Sequence, residues 1–217
     1  MKRWRKGSQL KTMSPVNAWL YLDRMDLSRY WPHNAGIEWD SFIFQFREGR
    51  TRIESFSVIS PRQREAFKVA LEAESYLPVI PSIDVPQPVS PDLIPFNDPD
   101  ENAPVLVTAN NAFTLDVLAS VWAQGTTPAW FLLADCEGNT VDMSLVFGKF
   151  TPEALLGAIE ETGLTGLVAH RTLTIPGLAA PLQKEFTAAT GWNIEIGPVC
   201  AAELPLFLGK KWQVSAR

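Results

Sequence analysis

Few side chains in this sequence can do acid–base, nucleophilic or metal chemistry. The 217 residues contain two histidines, His33 and His170, and two cysteines, Cys136 and Cys200. On count alone this excludes a four-cysteine zinc site, a four-cysteine iron–sulfur cluster and a multi-disulfide scaffold built from this chain. Two histidines also leave little room for histidine-based metal ligation. His33 sits in a Trp31-Pro32-His33-Asn34 turn and reads as a loop residue. His170 follows the apolar run Leu167-Val168-Ala169, which reads as a strand, so it is placed at a strand end as a hydrogen-bonded loop histidine or as a ligand contact. Neither cysteine has close basic neighbours to depress a thiol pKa, so both read as inert. Lys149, in Phe147-Gly148-Lys149-Phe150, reads as solvated. There is no G-x-S-x-G elbow, no Walker A loop and no G-x-G-x-x-G turn.

The elements that must position these residues fall into three regions, 1–77, 78–103 and 104–217. The first reads as helical. Ser14-Pro15 and Ser60-Pro61 are N-cap and N1 pairs. Ala66, Ala70, Ala73 and Leu77 recur at helical spacing on one face. From Pro78 to Pro104 the prolines crowd: Pro81, Pro86, Pro88, Pro91, Pro95 and Pro99 lie between. Such density opposes helix and central strand and suggests a semi-extended linker. From Pro104 onward strand and helix signals alternate. Val105 to Thr108, Trp130 to Leu133, Leu167 to Ala169 and Asn193 to Ile196 read as strands. Phe113 to Trp122, the segment after Thr151-Pro152-Glu153, Leu178 to Thr190 and Ala201 to Leu208 read as helices. The alternation predicts an α/β fold with a mostly parallel sheet, and ligands of such sheets bind beyond the carboxyl ends of the strands. The expected ends are Thr108-Ala109-Asn110-Asn111, Ala134-Asp135, Ala169-His170-Arg171 and Gly197-Pro198.

Composition agrees with a folded protein: 46% of residues are hydrophobic and 20% charged. A net charge of −5 argues against nucleic acid as the partner. No apolar run approaches the roughly 20 residues of a membrane span. The basic start, Lys2, Arg3, Arg5, Lys6 and Lys11, lacks the apolar stretch of an export signal, so a cytoplasmic location is expected.

The stretch from Pro104 to Trp212 resembles the C-terminal corrinoid-binding domain of the corrinoid iron–sulfur protein large subunit, the gamma subunit of acetyl-CoA decarbonylase/synthase. The residues that carry the resemblance are Pro104-Val105-Leu106-Val107-Thr108, Gly148-Lys149-Phe150-Thr151, His170-Arg171-Thr172-Leu173-Thr174-Ile175-Pro176-Gly177, and Ile196-Gly197-Pro198 before Ala201-Ala202. The resemblance implies a Rossmann-like corrinoid-binding domain preceded by a small helical domain. It implies a methyl carrier or methyltransferase component of the Wood–Ljungdahl, acetyl-CoA synthase pathway rather than a stand-alone enzyme. The cofactor implied is a corrinoid (cobalamin) held base-off with no protein histidine on cobalt. The chain lacks the Asp-x-His-x-x-Gly pattern of histidine-ligating cobalamin domains, in keeping with this. The implied contacts are Thr108, Asn110, Asn111 and Thr114 at a strand end, and Val141, Asp142, Met143, Ser144, Leu145 and Gly148 in a cap under the corrin. Lys149, Phe150, His170, Pro176, Gly177, Gly197 and Pro198 complete them. At the cap centre, where the methyl carrier has threonine and a mercury-methylating relative cysteine, either Met143 or Leu145 faces the ring; thiolate–cobalt chemistry is thereby excluded.

The N-terminal region is similar to the family's small cluster-binding domain with every cysteine gone, at Asn34-Ala35-Gly36, Ser41-Phe42-Ile43-Phe44, Arg47-Glu48-Gly49 and Ile53-Glu54-Ser55-Phe56. Trp31, Trp39, Phe42, Phe44, Phe46 and Phe56 are expected to replace the cluster with aromatic packing. No iron–sulfur cluster is therefore expected, and reduction of cobalt would need a partner such as a reductive activase, beside a partner methyltransferase. The competing expectation is a cofactor-free paralogue serving as an interaction subunit of a larger complex.

Overall fold

A computed structural model describes residues 24–81 and 85–214. The expected cap at Ser14-Pro15 and the basic arm lie outside the described residues. The helices are α1 (Trp39–Arg47), α2 (Pro61–Leu71), α3 (Ala73–Tyr76), α4 (Ala112–Trp122), α5 (Val141–Val146), α6 (Pro152–Glu161), α7 (Leu164–Leu167), α8 (Gln183–Thr190) and α9 (Leu204–Leu208). The strands are β1 (Leu93–Phe96), β2 (Val105–Ala109), β3 (Ala129–Ala134), β4 (Thr172–Ile175) and β5 (Asn193–Ile196). They form one sheet of order β1-β3-β2-β4-β5, parallel except for β1, which runs antiparallel to β3. The expected α/β class with a mostly parallel sheet is what is found.

Several boundaries follow local chemistry read from the sequence. The Ser60 and Thr151 side chains accept hydrogen bonds from the N–H groups of Gln63 and Ala154, each with proline next in the chain. Asn111 does the same for Thr114 at the start of α4. β2 is buried along its whole length and β3 almost so, as apolar strands covered on both faces must be.

Two segments differ from expectation. Leu167-Val168-Ala169 is not a strand: Leu167 ends α7, and the strand is Thr172–Ile175. The alternation Thr-Leu-Thr-Ile, with Leu173 and Ile175 facing one core, outweighs a three-residue apolar run. The proline-rich segment is not a free linker throughout. Leu93–Phe96 pairs with β3, and Pro95 is tolerated because β1 is an edge strand. Upstream, Gln87 N–H donates to Gly138 O and Val89 N–H to Asn110 O.

Side chains alternate between two cores. Leu106 and Phe131 face one; Val107, Leu132 and Leu173 face the other, with Leu155 of α6 and Phe186 of α8. The first core is continuous with the N-terminal helices. Phe67 and Ala70 of α2 belong to the same cluster as Trp122, Phe131, Leu204 and Trp212. Trp31 is its aromatic hub there, with ring centroids 4.5 Å from Phe42, 5.3 Å from Trp39 and Phe56, and 5.6 Å from Phe67. Phe44 does not join as expected. It lies on the outer side of α1, 59% exposed, with Arg50 over its ring.

A buried carboxylate fastens the N-terminal segment to the sheet domain. Glu203, 1% exposed, accepts from Asp26 N–H at 2.7 Å and from Arg29 Nη2 at 2.8 Å, while Arg29 is 49% exposed. Removing one partner has unequal consequences. Arg29→Ala strands a buried anion, whereas Glu203→Gln keeps an acceptor for Asp26 N–H and leaves a guanidinium that water can reach. Urea unfolding is expected to show a loss of about 2–3 kcal/mol for Arg29→Ala and about 1 kcal/mol for Glu203→Gln. The opposite order would mean that Glu203 is not held mainly by this pair.

Candidate functional site: a cavity between two splayed strands

β2 and β4 are neighbours but are in register at one pair only, Leu106 with Thr174. Beyond it no further register pair joins the two strands toward their carboxyl ends. The chain leaves β2 for β3 on one side, then crosses back to β4 on the other, so the gap is the sheet's topological switch point. A cavity of about 360 Å³ opens there. Its floor is Leu106, Val107, Thr108, Thr174 and Ile175. Phe113, Thr114, Val117 and Leu118, one face of α4, form a wall, and Thr140, Val141 and Asp142 enter from the start of α5. Pro176, Leu178, Gly197, Pro198, Val199 and Cys200 close the far side. Arg24, Ile80 and Pro81 reach in from the N-terminal part of the chain. The lining is mostly apolar with a few hydroxyls, as small-ligand sites are.

The loops after β4 and β5 must touch to complete this wall. Gly177 N–H donates to Pro198 O at 2.9 Å, and Gly197 N–H to Ile175 O at 2.9 Å. A Cβ on Gly177 would fall 2.7 Å from Gly197 O and 2.8 Å from both Pro198 C and Val199 N. The two glycines thus let two backbones meet where side chains would hold them apart.

Of the residues expected at a ligand, Thr108, Thr114, Val141, Asp142, Pro176, Gly197 and Pro198 line the cavity. Gly177 stands behind it as described. The remainder are placed otherwise. Asn110 is buried and spent: its Oδ1 accepts from Cys136 and Gly138 N–H, and its Nδ2 donates to Val89 O and Asp135 Oδ1. Asn111 caps α4 and donates to Gly138 O. Neither asparagine lines the cavity. Ser144 is buried, its hydroxyl donating to Asn139 O. Leu145 packs on the second core, and Phe150 is buried within it. Gly148 takes a positive φ of 62° at the turn that ends this segment. Lys149 pairs with Glu137 at 2.6 Å, near the surface. Met143 is half-buried on α5.

His170 is the main correction. Because β4 begins after it, His170 lies at the amino end of the sheet, the side opposite the cavity. Its Nδ1 accepts from Thr172 N–H at 3.2 Å, so Nε2 carries the proton and donates to Ala103 O at 3.0 Å. It is a hydrogen-bonded loop histidine. The cysteines behave as the sequence suggests. Burial pushes the thiols of Cys136 and Cys200 up to about 11, so both stay protonated at neutral pH even though Cys200 lines the cavity.

Sequence reasoning missed Thr174 and Ile175 as lining, although they stand inside a quoted motif, because the strand had been set five residues early. It also missed Phe113 and Val117, which share a helix face with Thr114. Arg24 left no local signal at all.

The sequence profile described as CO dehydrogenase/acetyl-CoA synthase delta subunit matches residues 74–208. This chain belongs to that family. The match takes in the whole sheet and every cavity residue except Arg24. Among curated relatives, the acetyl-CoA decarbonylase/synthase complex subunit gamma of Methanopyrus kandleri is 44% identical over 126 residues, covering 58% of this chain and 27% of that protein. The same subunit of Methanothermobacter thermautotrophicus is 38% identical over 125 residues, again 58% and 27%. That of Archaeoglobus fulgidus is 38% identical over 127 residues, with the same coverage. The chain thus spans about a quarter of the length of these curated relatives, which bear out the expected resemblance to the gamma subunit. None of the described helices is long and apolar enough to cross a membrane.

Proposed function

We propose that this chain binds a corrinoid and takes part in methyl transfer as a carrier or a component of a larger complex. The observation that carries the reading is the apolar cavity at the switch point, in a chain whose relatives are subunits of the acetyl-CoA decarbonylase/synthase complex. When bound, the cobalt of such a cofactor supplies the nucleophile that accepts and passes on a methyl group.

The residues present fit this group. A cavity of about 360 Å³ suits an extended nucleotide tail. Phe113 and Val117 would flank an aromatic base, and the Thr108, Thr114 and Thr174 hydroxyls would serve its ribose and amides. Leu178 and Val199, exposed at the mouth, and the Asp142, Met143, Val146 and Phe147 side of α5 would support the ring. Leu145 is committed to the core, which favours Met143 as the side chain toward the cofactor. Neither histidine of the chain lines the cavity, in keeping with a base-off cobalt that no protein side chain ligates. Both cysteines lie in the sheet domain, so this chain would carry no iron–sulfur cluster of its own, and a low-potential partner would restore the reduced cobalt.

The test is anaerobic reconstitution with cobalamin followed by gel filtration. Co-elution with a base-off visible spectrum, and negligible iron and acid-labile sulfide, is the expected result. A colourless protein fraction would remove the corrinoid reading.

A further inference from the structure

We infer that Arg24 is the anion-recognising residue of the cavity, reading the phosphodiester that joins the nucleotide tail to the corrin. The inference rests on the corrinoid reading. Among the described residues, Arg24 is the single cation lining the cavity and Asp142 the single anion. Asp142 is occupied by the Thr140 hydroxyl at 2.6 Å. None of the ion pairs among the described residues involves Arg24. A guanidinium at the edge of an apolar cleft is weakly hydrated and offers a planar fork that matches two phosphate oxygens. The phosphodiester is the only formal anion of a cobamide's side chains and tail, so a cation with no ion partner among the described residues meets one anion.

Its position is enforced from behind. Two residues further on, Asp26 N–H is held by the buried Glu203, which also grips Arg29. Glu203 lies three residues after Cys200 of the cavity wall, so the clamp ties the Arg24 segment to that wall. Glu203 is a positioning residue here. Arg24 lies outside the span that matches the delta-subunit family, which starts at residue 74. The N-terminal segment therefore adds to this chain's cavity a contact that the family-matched part does not contain.

The experiment compares cobalamin with cobinamide, which lacks the nucleotide and its bridging phosphodiester, by equilibrium binding to the full chain and to Arg24→Gln. The control variant is Glu160→Lys, on the exposed side of α6. Cobalamin binds base-off only after releasing its lower base, a cost cobinamide does not carry, so the decisive quantity is the cobalamin-to-cobinamide affinity ratio compared between variants. Arg24→Gln should lose about tenfold for cobalamin, as the loss of a charge-assisted fork would give, while cobinamide affinity stays unchanged, and Arg24→Lys should recover only part. A ratio unchanged in Arg24→Gln overturns the role of Arg24 and leaves corrinoid binding standing. If neither corrinoid binds, the corrinoid reading fails instead. Arg24 is then judged by thermal shift with α-ribazole phosphate against α-ribazole. Stabilisation by the phosphate alone, absent in Arg24→Gln, upholds it as an anion site; equal effects overturn it.

Discussion

Gly177→Ala is expected to destabilise the protein by about 2–3 kcal/mol and to abolish most cobalamin binding. The residue has no positive φ, so alanine meets no backbone restriction there. The cost comes from space alone. The new methyl would lie 2.7–2.8 Å from backbone atoms of Gly197, Pro198 and Val199, and backbone cannot swing aside as a side-chain tip can. Relief requires the loops after β4 and β5 to separate, which breaks the Gly177 N–H bond to Pro198 O and moves Pro176, Pro198 and Val199 of the cavity wall together. Gly157→Ala is the matched control. It lies inside α6 with nothing within 4 Å of the new Cβ, and should stabilise by about 0.5–1 kcal/mol with binding intact. Urea titration and cobalamin affinity measured on both variants decide the matter. If Gly177→Ala behaves like Gly157→Ala, the loop contact does not shape the cavity.

The sheet and much of the cavity were legible in the sequence because their signals are local. Apolar strands at Val105 and Trp130, Thr151-Pro152 and Gly163 around one helix, and Asn193 to Ile196 each announce themselves within a few residues. Gly177 and Gly197 were picked out as motif residues, but their reason is a meeting of two loops about twenty positions apart, which no window along the chain displays. His170 was misplaced by a five-residue error in one strand, enough to move it from one end of the sheet to the other. Asn110 and Asn111 show a different limit. Their types suit ligand recognition, yet Val89 in the proline-rich segment and the turn at 135–138 consume their hydrogen-bonding capacity. Arg24 and Glu203 are paired in purpose across most of the chain length, and only tertiary structure brings them to one wall.

Phe67→Ala is expected to remove about 3–5 kcal/mol of stability and to unfold the parallel sheet in the same transition as the N-terminal helices. Phe67 is fully buried, with Trp31 at 5.6 Å and Trp39 at 6.1 Å between ring centroids. Truncation removes its apolar surface and leaves a void that indoles held by other contacts cannot fill. The shared transition follows from continuity of the core. α2 carries Phe67, Ala66 and Ala70 in one cluster with Leu204 and Leu208 of α9, Trp122 of α4 and Phe131 of β3. That cluster covers the sheet face opposite α6 and α8, so loss of α2 would expose Leu106 and Phe131 to water. The clamp of Glu203 on Asp26 and Arg29 adds a polar tie between the same regions. Exposing Leu106 and Phe131 alone costs roughly 3–6 kcal/mol, a large share of the total margin of about 5–15 kcal/mol typical of a folded protein, so neither region should persist without the other. Amide hydrogen exchange across a urea series, read by mass spectrometry, would follow α1 and α2 separately from β2 and β3. Coincident midpoints in urea, both lowered in Phe67→Ala, are the expected result. Separate transitions, with only that of α1 and α2 lowered, would establish residues before the proline-rich segment as an independently folding domain.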